Sequence, residues 1–181
     1  MTIKTIKEDI ILENKHLLIK NNLVIFPDGS KGTHIKISTI EQDGAFVLPV
    51  SESGQVALIR EYRYARNKYY WKGIAGGIAK KEKPDNAAKR EMLEEAGIVC
   101  DELILAGKFV SSPGTNTGSA YLYLAMNAKI VQSSTPEGSE SITDVKFFDV
   151  EDALSIMRKD GESDIYSSYL IEKIKNMRLT K

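Results

Sequence analysis

Cysteine, histidine and tryptophan are nearly absent: one cysteine, two histidines and one tryptophan occur among 181 residues. The single thiol, Cys100, has no intrachain partner for a disulfide, and His16 and His34 offer no Cys/His spacing for structural zinc. Any metal used here is therefore expected to be a hard cation held by oxygen. Neither sign of charge prevails, because 25 Lys plus Arg balance 25 Asp plus Glu. Without a global basic field, nucleic acid is not an expected partner. No apolar run reaches membrane length. Residues Met1 to Lys20 interleave Lys, Glu and Asp with Ile and Leu, unlike a signal peptide. The expectation is a cytoplasmic chain that does not engage membranes. The 13 glycines and 5 prolines are scattered, which excludes collagen-like and low-complexity readings.

What is present is a change of hydrophobic period along the chain. Short apolar or alternating runs at Ile10 to Leu12, His16 to Ile19, Leu23 to Phe26 and His34 to Ile37, with Pro27-Asp28-Gly29 as a turn, predict an N-terminal antiparallel meander. Ala45 to Val50 and Val56 to Tyr62 flank Ser51-Glu52-Ser53-Gly54 as a hairpin. Leu103 to Val110, Ser119 to Met126 and Val145 to Phe148 supply further strands. Pro84 to Ala96 reads as a helix, with Pro in its first turn, Asp85 where the dipole favours an anion, and Gly97 to end it. Val150, Ala153, Leu154 and Met157 form one helical stripe, and Tyr166, Tyr169, Leu170, Lys173, Ile174 and Met177 another. The fold class is α+β, a mixed sheet with helices on its faces.

The chemistry concentrates in residues 76–98. At roughly 100° per residue, Glu91, Glu94 and Glu95 share one face of the helix. Like charges at these spacings cost a few tenths of a kcal/mol per pair, a sign that a divalent cation would reverse. Gly76, Glu82, Arg90, Glu91, Met92, Glu94, Glu95, Gly97 and Ile98 stand at the spacing of the Nudix box, and the segment resembles it at every specified position. Chance agreement on that scale falls below about one in a million. The resemblance implies an α/β/α sandwich with a mixed sheet, plus a small N-terminal antiparallel sheet. It also implies hydrolysis of a nucleoside diphosphate linked to another group, with Mg²⁺ or Mn²⁺ held against the pyrophosphate.

Carried over residue by residue, the resemblance makes Glu91 and Glu95 metal ligands and Glu94 a ligand or the holder of a bridging water. The carbonyl of Ala75 becomes a further ligand, and Arg90 and Glu82 orient the set. Gly44 to Val50 and Val56 to Ala65 resemble ADP-ribose pyrophosphatases, with Arg63 at a phosphate-contacting position. Gly76, Pro113 and Gly114 complete the expected substrate contacts. Hydrolysis also asks for a carboxylate outside the helix, as a ligand or as the base that takes a proton from water. Glu137 and Glu140 are the candidates, and Glu140 aligns better with the subgroup's loop glutamate. Tyr69, Tyr70 and Trp71 offer either a face for a nucleobase or ordinary strand packing. Residues 1–43 form the meander, expected to pack on a second subunit as in the related dimers, and 44–181 the catalytic domain. Two departures stand out. Lys72-Gly73-Ile74 replaces a Glu followed by Leu-Pro, and Thr115-Asn116-Thr117 replaces an acidic residue. The first removes a negative charge and the second a polar contact near substrate.

Overall fold

The computed structural model describes residues 1–39, 43–135, 138, 141–159 and 164–179. The chain begins with β1 (Lys4–Lys7), β2 (Ile10–Glu13), β3 (Leu17–Ile25) and β4 (Lys31–Thr39). Strand β3 is the spine of this sheet. It pairs with β4 from Leu17↔Thr39 to Ile25↔Lys31, while β2 and β1 share its other edge end to end. The two runs expected at His16 to Ile19 and Leu23 to Phe26 are thus one strand, because Lys20, Asn21 and Asn22 stay extended between paired neighbours. Asn22, 7% exposed, accepts a hydrogen bond from the Asp9 N–H at its side-chain oxygen. The expected turn is present: Gly29 adopts φ 87°, and the Asp28 carboxylate accepts from both the Ser30 N–H and hydroxyl. Those bonds favour the charged form and hold the Asp28 carboxyl below its usual range.

The larger sheet contains β5 (Gly44–Val50), β6 (Val56–Arg63), β7 (Lys68–Lys72) and β8 (Ile74–Gly77), with helix α1 (Pro84–Ala96) and the short strand β9 (Ile98–Val99) next in the chain. It is completed by β10 (Glu102–Phe109), β11 (Ala120–Met126) and β13 (Ile142–Phe148), while β12 (Lys129–Ile130) pairs with β9. Helices α2 (Val150–Arg158) and α3 (Ile165–Leu179) end the chain. The order is β10-β11-β5-β6-β13, with β5 and β11 parallel and the other pairings antiparallel. Strands β5 and β6 meet only at Val50↔Val56, beside their hairpin. Beyond that point they part, and the gap is filled by β8 on the free edge of β5 and β7 on the free edge of β6. The wedge between them is what the site is built on.

Alternating side chains serve two helix layers, as the period of two along a strand requires. Ala45, Val47, Ala57, Ile59, Tyr123 and Ala125 face α1 through Ala87, Ala88, Met92 and Ala96. Leu48, Val50, Val56, Leu58, Leu122 and Leu124 face α2 and α3 through Ala153, Leu154, Leu170, Ile171 and Ile174. Each fully buried Leu or Ile contributes about 1.5–3 kcal/mol of transfer free energy. The result is the expected α/β/α sandwich, with α1 the only helix on one face among the described residues.

Candidate active site

Helix α1 has the ends that its sequence predicts. Pro84 occupies the first turn, and Gly97 closes the helix at φ 63°, donating its N–H to Leu93. A Cβ on Gly97 would stand 2.0 Å from the carbonyl oxygen of Gln132, so backbone conformation and close packing both select glycine there. The buried stripe is Ala87, Ala88, Glu91, Met92, Glu95 and Ala96. Two carboxylates are therefore turned inward beneath the sheet, at 7% exposure for Glu91 and 2% for Glu95. Charges are seldom buried in this way without specific partners.

Those partners come from the wedge and from Arg90. The Ala75 N–H on β8 donates to the Glu95 carboxylate at 3.4 Å. Gly76 lets Glu91 come closer still: a Cβ at that position would lie 2.0 Å from the Glu91 carboxylate carbon. Arg90 gathers the remaining acids. Its Nη1 donates to Glu91 at 2.7 Å and to Glu94 at 3.1 Å, and its Nη2 donates to the Gly77 carbonyl at 3.0 Å. Nε and Nη2 together form a fork onto both oxygens of Glu82 at 3.0 and 3.1 Å, a geometry that only arginine supplies. Glu82 also accepts from the Ala79 N–H at 2.9 Å. Its carboxyl is held below the ordinary range by the Arg90 guanidinium, then by that backbone bond, while the Arg90 guanidinium is pushed upward chiefly by Glu82. Arg90 thus ties loop, strand and helix together.

A cavity of about 490 Å³ opens above this assembly, lined by Ala75, Gly76 and Gly77 of β8, Arg63 of β6, and Phe46 and Tyr166 on its apolar side. Ile37 and Thr39 of β4 and Ser111 and Asn116 of the β10–β11 loop complete its rim. That loop is bound to the N-terminal sheet: the Ile37 N–H donates to Thr115 at 2.8 Å, and the Thr117 N–H to Ile37 at 3.1 Å. The departure at Thr115-Asn116-Thr117 is therefore a backbone seam between the two sheets. Arg63 projects into the cavity with its Nη1 3.0 Å from Glu61.

Of the residues expected from sequence, Arg63, Ala75 and Gly76 line this cavity. Glu82, Arg90, Glu91 and Glu94 are joined by Arg90's hydrogen bonds, and Glu95 lies against Ala75. Pro113 and Gly114 instead line a separate cleft of about 330 Å³ against β4. Tyr69, Tyr70 and Trp71 belong to β7 and do not line the cavity. Trp71 stacks edge-on against Phe148 and Tyr69 against Tyr62, which is strand packing. Glu137 and Glu140 lie outside the described residues, although neighbouring Thr135 donates its N–H to the Glu94 carbonyl at the end of α1. Sequence reasoning did not find Glu61 or Tyr166. Glu61 could have been noticed as a charge inside an apolar strand, and Tyr166 carried no signal beyond its helical stripe.

Residues 41–169 match the NUDIX domain family model. This chain belongs to the Nudix family. It is 25% identical over 170 residues to the ADP-ribose pyrophosphatase of Bacillus subtilis (strain 168), covering 93% of this chain and 90% of that one. It is also 24% identical over 177 residues to a methanol dehydrogenase activator of Bacillus methanolicus, covering 97% and 92%. Among solved structures, one titled "Crystal structure of ADP compounds hydrolase" superimposes with a TM-score of 0.85, covering 98% of this chain and 94% of that one at 14% identity. The fold is therefore that of a Nudix protein, and the enzyme class is Nudix pyrophosphohydrolase. Nudix hydrolases work with divalent cations. The donors here suit such an ion, since Glu91, Glu94, Glu95 and the Ala75 carbonyl offer oxygen only, and Gly76 leaves the room that a Cβ would fill. Among the described residues no three acidic or histidine side chains are already gathered around one point. Arg90 holds two of the carboxylates meanwhile.

Proposed function

We propose that this Nudix protein hydrolyses the pyrophosphate bond of a nucleoside diphosphate joined to a second group, with ADP-ribose or a related nucleotide sugar as substrate and AMP plus sugar phosphate as products. The observation that carries the reading is the burial of Glu91 and Glu95 directly under Ala75 and Gly76, at a cavity entered by the Arg63 guanidinium. A bound Mg²⁺ or Mn²⁺ would neutralise the pyrophosphate and acidify a water. Glu91, Glu94, Glu95 and the Ala75 carbonyl would hold it. Arg90 and Glu82 keep these carboxylates in place, and Arg63 binds a phosphate oxygen. A carboxylate outside α1 completes the set as a further ligand or as the base that takes the proton from water, and Glu140 is assigned that role on its sequence alignment, with Glu137 as the other candidate. Resemblance to the Bacillus subtilis enzyme over 93% of the chain supports the substrate class.

The N-terminal sheet supports a homodimer. Ile3, Ile6, Ile10, Ile11, Leu12, Leu23 and Ile35 are all exposed on its four strands and their margins, more apolar surface than a sheet normally leaves to water. A second reading, activation of methanol dehydrogenase, rests on the Bacillus methanolicus relative.

Incubation with Mg²⁺ and a panel of ADP-ribose, GDP-sugars, dinucleoside polyphosphates and noncanonical nucleotides, followed by chromatography, tests the proposal. AMP and ribose 5-phosphate from ADP-ribose are expected. Turnover of other members alone moves the assignment to another Nudix substrate. Binding without products from any member makes the chain a nucleotide sensor and overturns the proposal.

A further inference from the structure

Lys72 is a charged residue at 4% exposure, at the end of a strand in which three aromatic residues, Tyr69, Tyr70 and Trp71, precede it. The mechanism above does not use it. In the register of β6 and β7, Lys72 stands opposite Ile59, so it reaches diagonally to Glu61 on the same face. Its Nζ lies 3.0 Å from one oxygen of Glu61, whose side chain is 8% exposed. The other oxygen of Glu61 lies 3.0 Å from Nη1 of Arg63. One buried carboxylate thus divides its two oxygens between a buried ammonium and the guanidinium that enters the cavity.

This arrangement has a consequence for the cavity's charge. With Glu61 alone, Arg63 would be half of a neutral pair and a poor anchor for phosphate. Lys72 cancels the charge of Glu61 where water cannot screen it, so the trio carries one net positive charge, and that charge is at the cavity end. Glu61 meets Arg63 through Nη1 at 3.0 Å, and a guanidinium carries five N–H donors, more than one carboxylate oxygen can take up, so donors remain for an anion. Next along the chain, the Gly73 N–H donates to Ser167 of α3 at 2.7 Å, which anchors the turn between β7 and β8.

We infer that Glu61, neutralised by Lys72, is the positioning residue that holds Arg63 in the cavity as an anion-binding cation. The inference rests on the proposed phosphate role of Arg63. The sequence departure at Lys72 is on this account a relocation of charge: the negative partner of Arg63 sits two residues before it on the same strand, and a lysine takes the facing position.

The test is a mutant cycle read by calorimetric binding of inorganic pyrophosphate in Mg²⁺, which needs no turnover. A lone Glu61→Gln or Lys72→Met substitution strands a buried charge and destabilises the fold. The paired variant E61Q/K72M removes both charges and is the informative one. It is expected to keep the wild-type circular dichroism and to bind pyrophosphate about tenfold more weakly, the scale of one lost charged hydrogen-bond partner. In an R63A background the same pair of substitutions should change affinity by less than twofold, because it acts only through Arg63. K72R, which keeps the cation, should bind like the wild type. An equal loss with and without Arg63, an unchanged affinity in E61Q/K72M, or wild-type protein that binds no pyrophosphate would each overturn the inference. Turnover of ADP-ribose is measured on the same samples. Its absence beside an intact binding cycle counts against the proposed substrate and leaves the positioning role standing.

Discussion

Substituting Gly76 by alanine isolates the demand that the site makes on its backbone. The added Cβ would sit 2.0 Å from the Glu91 carboxylate carbon and from one of its oxygens, whereas ordinary contact needs about 3.4 Å or more. The obstacle is the end of a flexible side chain, so the fold can respond by turning Glu91 away instead of breaking β8. Overpacking of this kind costs about 1–3 kcal/mol, and the low end is expected because the carboxylate can move. For a chain of this size, about 1 kcal/mol lowers Tm by roughly 2–4 °C. The chemical cost is larger. A displacement above about 1 Å of a group that positions reactants reduces turnover by about a hundredfold, and Glu91 would also draw Arg90 with it through their 2.7 Å bond. The assay pairs thermal melting with steady-state hydrolysis of ADP-ribose in Mg²⁺, and with Mn²⁺ titration followed by electron paramagnetic resonance. A small Tm change with at least a hundredfold lower kcat and weaker Mn²⁺ binding is expected. G76A protein with unchanged kcat and metal affinity would refute the reasoning, since Glu91 would then have no need of the space.

Other substitutions probe neighbouring parts of the assembly. Glu95→Gln keeps an acceptor for the Ala75 N–H but removes the charge, so the fold should persist while turnover falls at least about a hundredfold; equal kinetics would remove Glu95 from the ligand set. Gly97→Ala meets both a left-handed φ of 63° and the Gln132 carbonyl, and is expected to cost at least about 1–2 kcal/mol in denaturant unfolding. Arg90, and then the Ala79 N–H, hold the folded Glu82 carboxyl below the ordinary carboxylate range, so its contribution to stability is complete above that range and declines as pH falls through the lowered folded value. Denaturant midpoints recorded from pH 6 downward, to about pH 3, should therefore drop more steeply for wild type than for E82Q, and parallel curves would contradict the Arg90–Glu82 account.

Helix α1 and the grouping of its carboxylates are legible from local residues alone. Pro84, Asp85 and Gly97 act within one or two turns, and the carboxylate spacing is a property of a single helix, so no distant contact was needed to read them. The near-continuous apolar runs of β5 and β6 likewise fit a sheet covered on both faces. Strands β7 and β8 were not legible, because Lys68 to Gly77 shows no alternation and carries three glycines in ten residues. They are extended only because β5 and β6 part and leave two free edges to fill. The split of the face around α1 also depended on packing: spacing grouped Glu94 with Glu91 and Glu95, yet only the latter two lie on the stripe pressed against the sheet. Long-range packing settles that Lys72 and Arg63 share Glu61, that Thr115 to Thr117 dock on Ile37, and that Pro113 and Gly114 face another cleft. The physical reason is common to all three. Local preferences fix what a segment does with its own backbone, while the partner of a buried charge or an unpaired strand edge is supplied by whichever distant segment the fold brings within about 3 Å.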